Sequence, residues 1–146
     1  MSRSGQRGFT MIELIVVIVI LGILAAFALP RFMGMEVQAR IAAANGMEGS
    51  VRSAANMAHG VWLASGNPAT IAADGAPAAI AIANGYPDAT GINNLIQDST
   101  GFTVVVGATT TFTPKGAKTA ATCQVVYTPA TAAVSFKAVS TVTNCN

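Results

Sequence analysis

The chain has little charge. Of its 146 residues 10% are charged, against roughly a quarter in an ordinary soluble domain. Eight Lys and Arg against six Asp and Glu leave a net charge of +2, too weak a balance to make nucleic acid the main partner. It also gives little protection against self-association. Histidine occurs once, at His59, and cysteine twice, at Cys123 and Cys145, so no metal-ligand spacing is present and no metal or other cofactor is expected. The same scarcity leaves little from which to build a nucleophile and its base, and no Gly-rich phosphate loop follows a strand. Catalysis is not expected. Asp88, Thr90, Gly91, Asn93 and Asn94 could offer oxygens to calcium, but they do not follow an EF-hand loop, and a turn with polar caps is the reading taken. Aromatic residues make up only 6% of the chain, and Phe9, Phe27 and Phe32 do not by themselves argue for conduction.

What the chain does have is one long apolar run. Residues 14–29 contain no charge, and the run reaches bilayer-spanning length, about 20 residues, when its first turn is included. A basic leader with Arg3 and Arg7 precedes it and is placed on the cytoplasmic side. Glu13 sits at the start of the run, where a charge in hydrocarbon costs roughly 2.5 kcal/mol or more, so it asks for a partner. Three readings compete. An ordinary signal peptide would be cut at Ala26–Phe27–Ala28, releasing a soluble binding domain that begins at Leu29. A plain anchor explains the length but gives Glu13 no role. Removal of the leader alone, at the Gly8–Phe9 bond, creates an α-amino group four residues before Glu13. An amine and a carboxylate buried together offset one another's desolvation.

Arg7–Gly8–Phe9–Thr10–Met11–Ile12–Glu13–Leu14, followed by the apolar run and Pro30, resembles the N-terminus of type IV pilins and of the related pseudopilins. Met11 stands where Leu is commoner, a volume-conserving change. The resemblance implies that a membrane-embedded prepilin peptidase cuts between Gly8 and Phe9 and methylates Phe9. It implies that Glu13 pairs with the N-terminal amine of an adjacent subunit. Leu14 and the run behind it, with Gly22 for close helix approach and Pro30 for a kink or unwinding near residues 26–30, then form the assembly surface. The expected precursor sits in a bacterial inner membrane, is taken up by the pilus assembly machinery, and ends as a helical homopolymer outside the cell, serving adhesion or twitching motility. The alternatives are a pseudopilin of a type II secretion system and, from another class, the soluble secreted domain. The Gly85–Tyr86–Pro87 stretch and the strand–Cys pattern look most like pilins of the mannose-sensitive haemagglutinin type.

The organisation expected is a leader at 1–8, a transmembrane and assembly helix at 9–30, and a globular domain at 31–146. From Arg31 to Leu63 the pattern is amphipathic: Met33, Val37, Ala44, Met47, Val51, Ala54, Ala58 and Val61 form an apolar stripe. Arg31, Gln38, Asn45, Arg52 and His59 recur every seven residues as a polar stripe, on which His59 is expected to be solvated. Arg31, Glu36 and Arg40 could pair along the helix or between subunits. Trp62 reads as a core anchor, and Ser65–Gly66–Asn67–Pro68 as the stop. Residues 67–101 read as a structure-poor surface connection, with a turn at Asn84–Gly85–Tyr86–Pro87 and a short helix at 92–96 started by Asp88, Thr90 or Gly91. Residues 102–106, 109–113, 123–128 and 133–142 read as antiparallel strands, with Cys123, Val125 and Tyr127 on one face of the third and Val134, Phe136 and Ala138 on one face of the fourth. The fold class is α+β: one long helix whose amphipathic half covers a sheet of three or four strands. In an exported protein the late cysteine pair reads as a disulfide, against two free thiols in a cytosolic one. The resemblance agrees, since such a bond bounds an exposed region in type IV pilins.

Overall fold

The computed structural model describes residues 9–146, except for the side chains of residues 29–33. Two compact units divide at Glu36/Val37. Helix α1, Met11–Ala64, contributes to both. In the first unit its stretch Met11–Ala28, with Glu13 as the one charge, has a mean hydropathy of 2.9 and none of it is buried. The backbone is helical through Pro30, so the unwinding expected near residues 26–30 is not seen. Proline removes one donor from the ladder, and the neighbouring turns keep theirs.

In the second unit α1 ends where the sequence stops it. Gly66 and Asn67 both take positive φ, and Asn67 N–H donates to the Trp62 carbonyl at 3.0 Å. Residues 67–101 are better ordered than expected. They form a small antiparallel sheet of β1 (Thr70–Ile71), β2 (Ile80–Ala83) and β3 (Tyr86–Pro87) in that order, and then helix α2 (Ala89–Leu95). The reason lies in a few apolar residues. Ile71, Ile80 and Ala58 make one buried cluster, flanked by Trp62. Asn84 and Gly85, both at positive φ, supply the two-residue turn between β2 and β3, so Tyr86 and Pro87 belong to a strand rather than to the turn. Asp88 caps α2 by accepting from the Gly91 N–H.

The four-stranded sheet is a meander, β4 (Phe102–Val106), β5 (Thr110–Pro114), β6 (Cys123–Thr128) and β7 (Lys137–Val142), antiparallel throughout and in chain order. β7 begins later than expected, and Val134 lies exposed in the preceding loop. There Thr131 N–H donates to the Val134 carbonyl at 2.8 Å, closing a turn of its own. One face of the sheet carries Phe112, Val125, Tyr127 and Ala138, all fully buried. They meet Ala44, Met47, Val51 and Ala55 of α1 and Ile92 of α2 in one core. The alanines let backbone and sheet approach closely, while burial of each large apolar side chain contributes about 1.5–3 kcal/mol. Tyr127 is buried but satisfied, its hydroxyl donating to the Pro87 carbonyl at 2.7 Å. Burial, helped by the charge on Asp88 and by Tyr86, raises its hydroxyl well above the usual tyrosine range. The fold is α+β, with one apolar helix end and one helix-on-sheet body.

Candidate functional site

The N-terminal segment is built around a cap. Thr10 precedes the first helical residue, and its hydroxyl oxygen accepts from the Glu13 N–H at 3.3 Å. In return Glu13 Oε2 accepts from the Thr10 N–H at 2.9 Å and from Thr10 Oγ1 at 2.8 Å. This reciprocal arrangement is a capping box, which satisfies donors that a helix start leaves over and sets a carboxylate at the positive end of the helix dipole. Thr10 was missed as a functional residue, although the spacing Thr-x-x-Glu ahead of an apolar run carries the signal. Phe9 lies ahead of the helix and is 85% exposed. Gly8, and with it the expected cleavage bond, falls outside the described residues.

Behind the cap the surface is apolar and uncovered. Leu14 is 59% exposed and its neighbours through Leu24 are similarly open. A Cβ placed on Gly22 would meet nothing within 4 Å, so this glycine leaves a shallow notch. The Pro30 side chain is among those not described. Among the described residues Glu13 thus bonds Thr10, and the apolar span Met11–Ala28 is unburied.

The second unit brings together what the sequence spread over a hundred residues. Cys123 and Cys145 are joined by a disulfide, both fully buried. Arg40 Nη1 donates to the Cys145 carbonyl at 2.9 Å. The stripe read as polar is not simply solvated. Ser140 N–H donates to Glu48 Oε2 at 3.0 Å, Ser140 Oγ donates to Asn45 Oδ1 at 3.1 Å, and Arg52 donates to the Ala138 carbonyl as well as to Glu48. Hydrogen bonding from Ser140 first, then from Arg52, holds the Glu48 carboxyl below its usual range. His59 is a correction of the same kind. Its Nδ1 donates to the Gly85 carbonyl at 2.7 Å, and its ring stacks on Tyr86, with centroids 4.4 Å apart, and on Trp62 at 5.5 Å. A solvated histidine was expected because periodicity shows which face a residue occupies, not what a distant turn brings to that face.

These features form surfaces and ties. The first unit presents an exposed apolar helix with a carboxylate held at its N-terminal end; the second is a helix-on-sheet body cross-linked by one disulfide.

Comparison with known proteins agrees with that character. The prokaryotic N-terminal methylation motif matches residues 3–29. The chain is similar to the type II secretion system core protein G of Pseudomonas aeruginosa, 46% identical over 57 residues, or 39% of this chain and 40% of that protein. It is 40% identical over 76 residues to the fimbrial protein EcpC of Eikenella corrodens, covering 50% of each chain. It is 39% identical over 72 residues to the type IV major fimbrial protein FimA of Dichelobacter nodosus, covering 47% of this chain and 43% of that one. The matched stretch spans half or less of the length of these relatives. No solved structure matches the chain. Its homologues are type IV pilins and a type II secretion pseudopilin, and the resemblance carried by Arg7 to Leu14 holds.

Proposed function

We propose that the chain is the structural subunit of a type IV pilus. Residues 1–8 are removed by a prepilin peptidase, Phe9 is methylated, and residues 9–30 hold the precursor in the bacterial inner membrane. The assembly machinery then extracts it into a helical fibre outside the cell, and the body from residue 31 onward forms the fibre's surface, serving adhesion or motility. The role is structural, not catalytic. The observation that carries this reading is the 18-residue apolar span Met11–Ala28, none of it buried, with its one charge, the Glu13 carboxylate, held near the N-terminal end by Thr10. The cap keeps Glu13 aligned there, where the amine of a neighbouring processed subunit would meet it.

The cap also sharpens the test. Glu13→Gln retains a capping box, which accepts Glu or Gln at that position, and removes only the charge. Leaving the amine unpaired in the fibre core costs about 3–5 kcal/mol, on the order of a hundredfold or more in subunit addition. Glu13→Gln is therefore expected to be processed and inserted normally but to form few or no fibres, scored by electron microscopy. Normal fibres would remove the role given to Glu13. Mass spectrometry of the mature N-terminus is the companion measurement: methylated Phe9 supports the reading, and a start at Leu29 sinks it in favour of a secreted soluble domain.

A second reading, a pseudopilin of a type II secretion system, is favoured by the match to core protein G. Surface fibres at native expression separate the two, since long fibres there support the pilin.

A further inference from the structure

The four-stranded sheet has two edges, and they differ. Gly107 N–H donates to the Thr109 carbonyl and Lys115 N–H to the Gly101 carbonyl, both at 2.9 Å. With the β4–β5 register, these bonds make Thr103:Thr113 and Val105:Thr111 the hydrogen-bonded pairs. Val104 and Val106 therefore turn their N–H and C=O groups away from β5. Carried through β5–β6 and β6–β7, the same alternation turns Ala138 and Ser140 outward on β7. Of those groups, Arg52 bonds the Ala138 carbonyl and Glu48 the Ser140 N–H. The β7 edge is thus tied to α1. On β4, Phe102 N–H is taken by the Ser99 carbonyl at 2.8 Å, while among the described residues nothing bonds the outward groups of Val104 and Val106.

The open edge has none of the usual protection. Soluble proteins blunt such edges with lysine, proline or a bulge; residues 101–113 contain no charge and no proline. Val105 is 62% and Val106 43% exposed. The free groups are self-complementary, because each of the two residues offers one donor and one acceptor at two-residue spacing.

We infer that β4 is an interface with a second copy of this chain, pairing antiparallel with the same strand about a two-fold axis at Val105. Val104 then faces Val106 of the second copy, and Val106 faces its Val104, so every outward group finds a partner. Val105 faces its own counterpart in the close, non-hydrogen-bonded position. The cross-strand row Val105, Thr111, Val126 and Val139 continues across the junction, and the two sheets become one. A two-fold contact closes on itself, whereas a fibre needs an open, heterologous one. The β4 contact therefore joins copies side by side; only the statement that those copies belong to neighbouring fibres rests on the proposed function.

The test uses the unassembled full chain in detergent, so its outcome is independent of fibre formation. Val105→Cys and Thr103→Cys are oxidised in parallel. In this register two copies of residue 105 lie opposite one another, while two copies of residue 103 are offset by about 13 Å, beyond the roughly 7 Å reach of a disulfide. Val105→Cys is expected to give at least about tenfold more cross-linked dimer on a non-reducing gel; equal yields, or none from either, overturn the proposal. Val105→Lys places like charges face to face. Sedimentation should find it monomeric at concentrations where the native chain is dimeric, and unchanged dimerisation would likewise overturn the pairing.

Discussion

Replacing both Cys123 and Cys145 by alanine isolates what the disulfide contributes. The bond links residues 22 apart, and closing a loop of that size removes entropy from the unfolded chain worth roughly 3 kcal/mol. The folded state does not rely on it for geometry. Thr122 Oγ1 donates to the Asn144 carbonyl at 2.8 Å, Lys118 N–H to the Asn146 carbonyl at 2.6 Å, and Arg40 to the Cys145 carbonyl at 2.9 Å. The C-terminal segment thus stays docked by hydrogen bonds of main-chain groups that alanine preserves. Alanine, rather than serine, avoids burying two hydroxyl groups at fully buried positions. Domains of this size are stable by about 5–15 kcal/mol, so the variant should still fold at 25 °C. Its unfolding free energy should fall by about 3 kcal/mol with little change in denaturant slope. The single tryptophan, Trp62, half-buried beside His59 and Gly85, reports the transition by fluorescence in a denaturant titration of the full chain in detergent. A loss under about 1 kcal/mol would refute the loop-entropy argument. Loss of the cooperative transition would refute the claim that hydrogen bonds alone dock the C-terminus.

Glu48 predicts acid sensitivity. Its folded-state carboxyl is held below the usual range, so the stability it contributes is present above the unfolded value, about 4.3. That stability is lost as pH falls through the lower folded value. Glu48→Gln should flatten the pH dependence of the unfolding midpoint between neutral pH and that window, and an unchanged profile would remove the assignment. Gly85→Ala should destabilise the second unit by about 1–3 kcal/mol. Its φ is +84°, and the added Cβ would sit 3.1 Å from Trp62 and 3.2 Å from His59; thermal unfolding of the variant checks it.

Much of this architecture is legible in the sequence, for physical reasons. The apolar run needs only composition. The buried face of β6 follows from strict alternation, and Val51, Ala58 and Ala44 from helical spacing. Two signals were present but unread: Thr10-x-x-Glu13 as a cap, and Asn84–Gly85 as a hairpin turn rather than as part of a loop ending at Pro87. Others are not local at all. Nothing near His59 announces the Gly85 carbonyl, 26 positions on. Nothing near Asn45, Glu48 or Arg52 says that their polar stripe borders the last strand. Periodicity ranks faces by polarity, and a face that closes a sheet edge with charged side chains has the same pattern as one that meets water.

The tie of β7 to α1 also orders events in time. The meander β4 to β7 is made of neighbouring hairpins, each closing a short loop. The bonds of Arg52, Glu48 and Asn45 to β7 join residues 86, 92 and 95 apart, which makes them late and slow to form. During synthesis α1 emerges well before β7, the strand that completes its cover. From the emergence of α1 until residue 142 is available, the face bearing Met47, Val51 and Ala55 has no finished sheet to rest on. In that interval the growing chain is at its most vulnerable to proteases and to premature contact with other nascent copies.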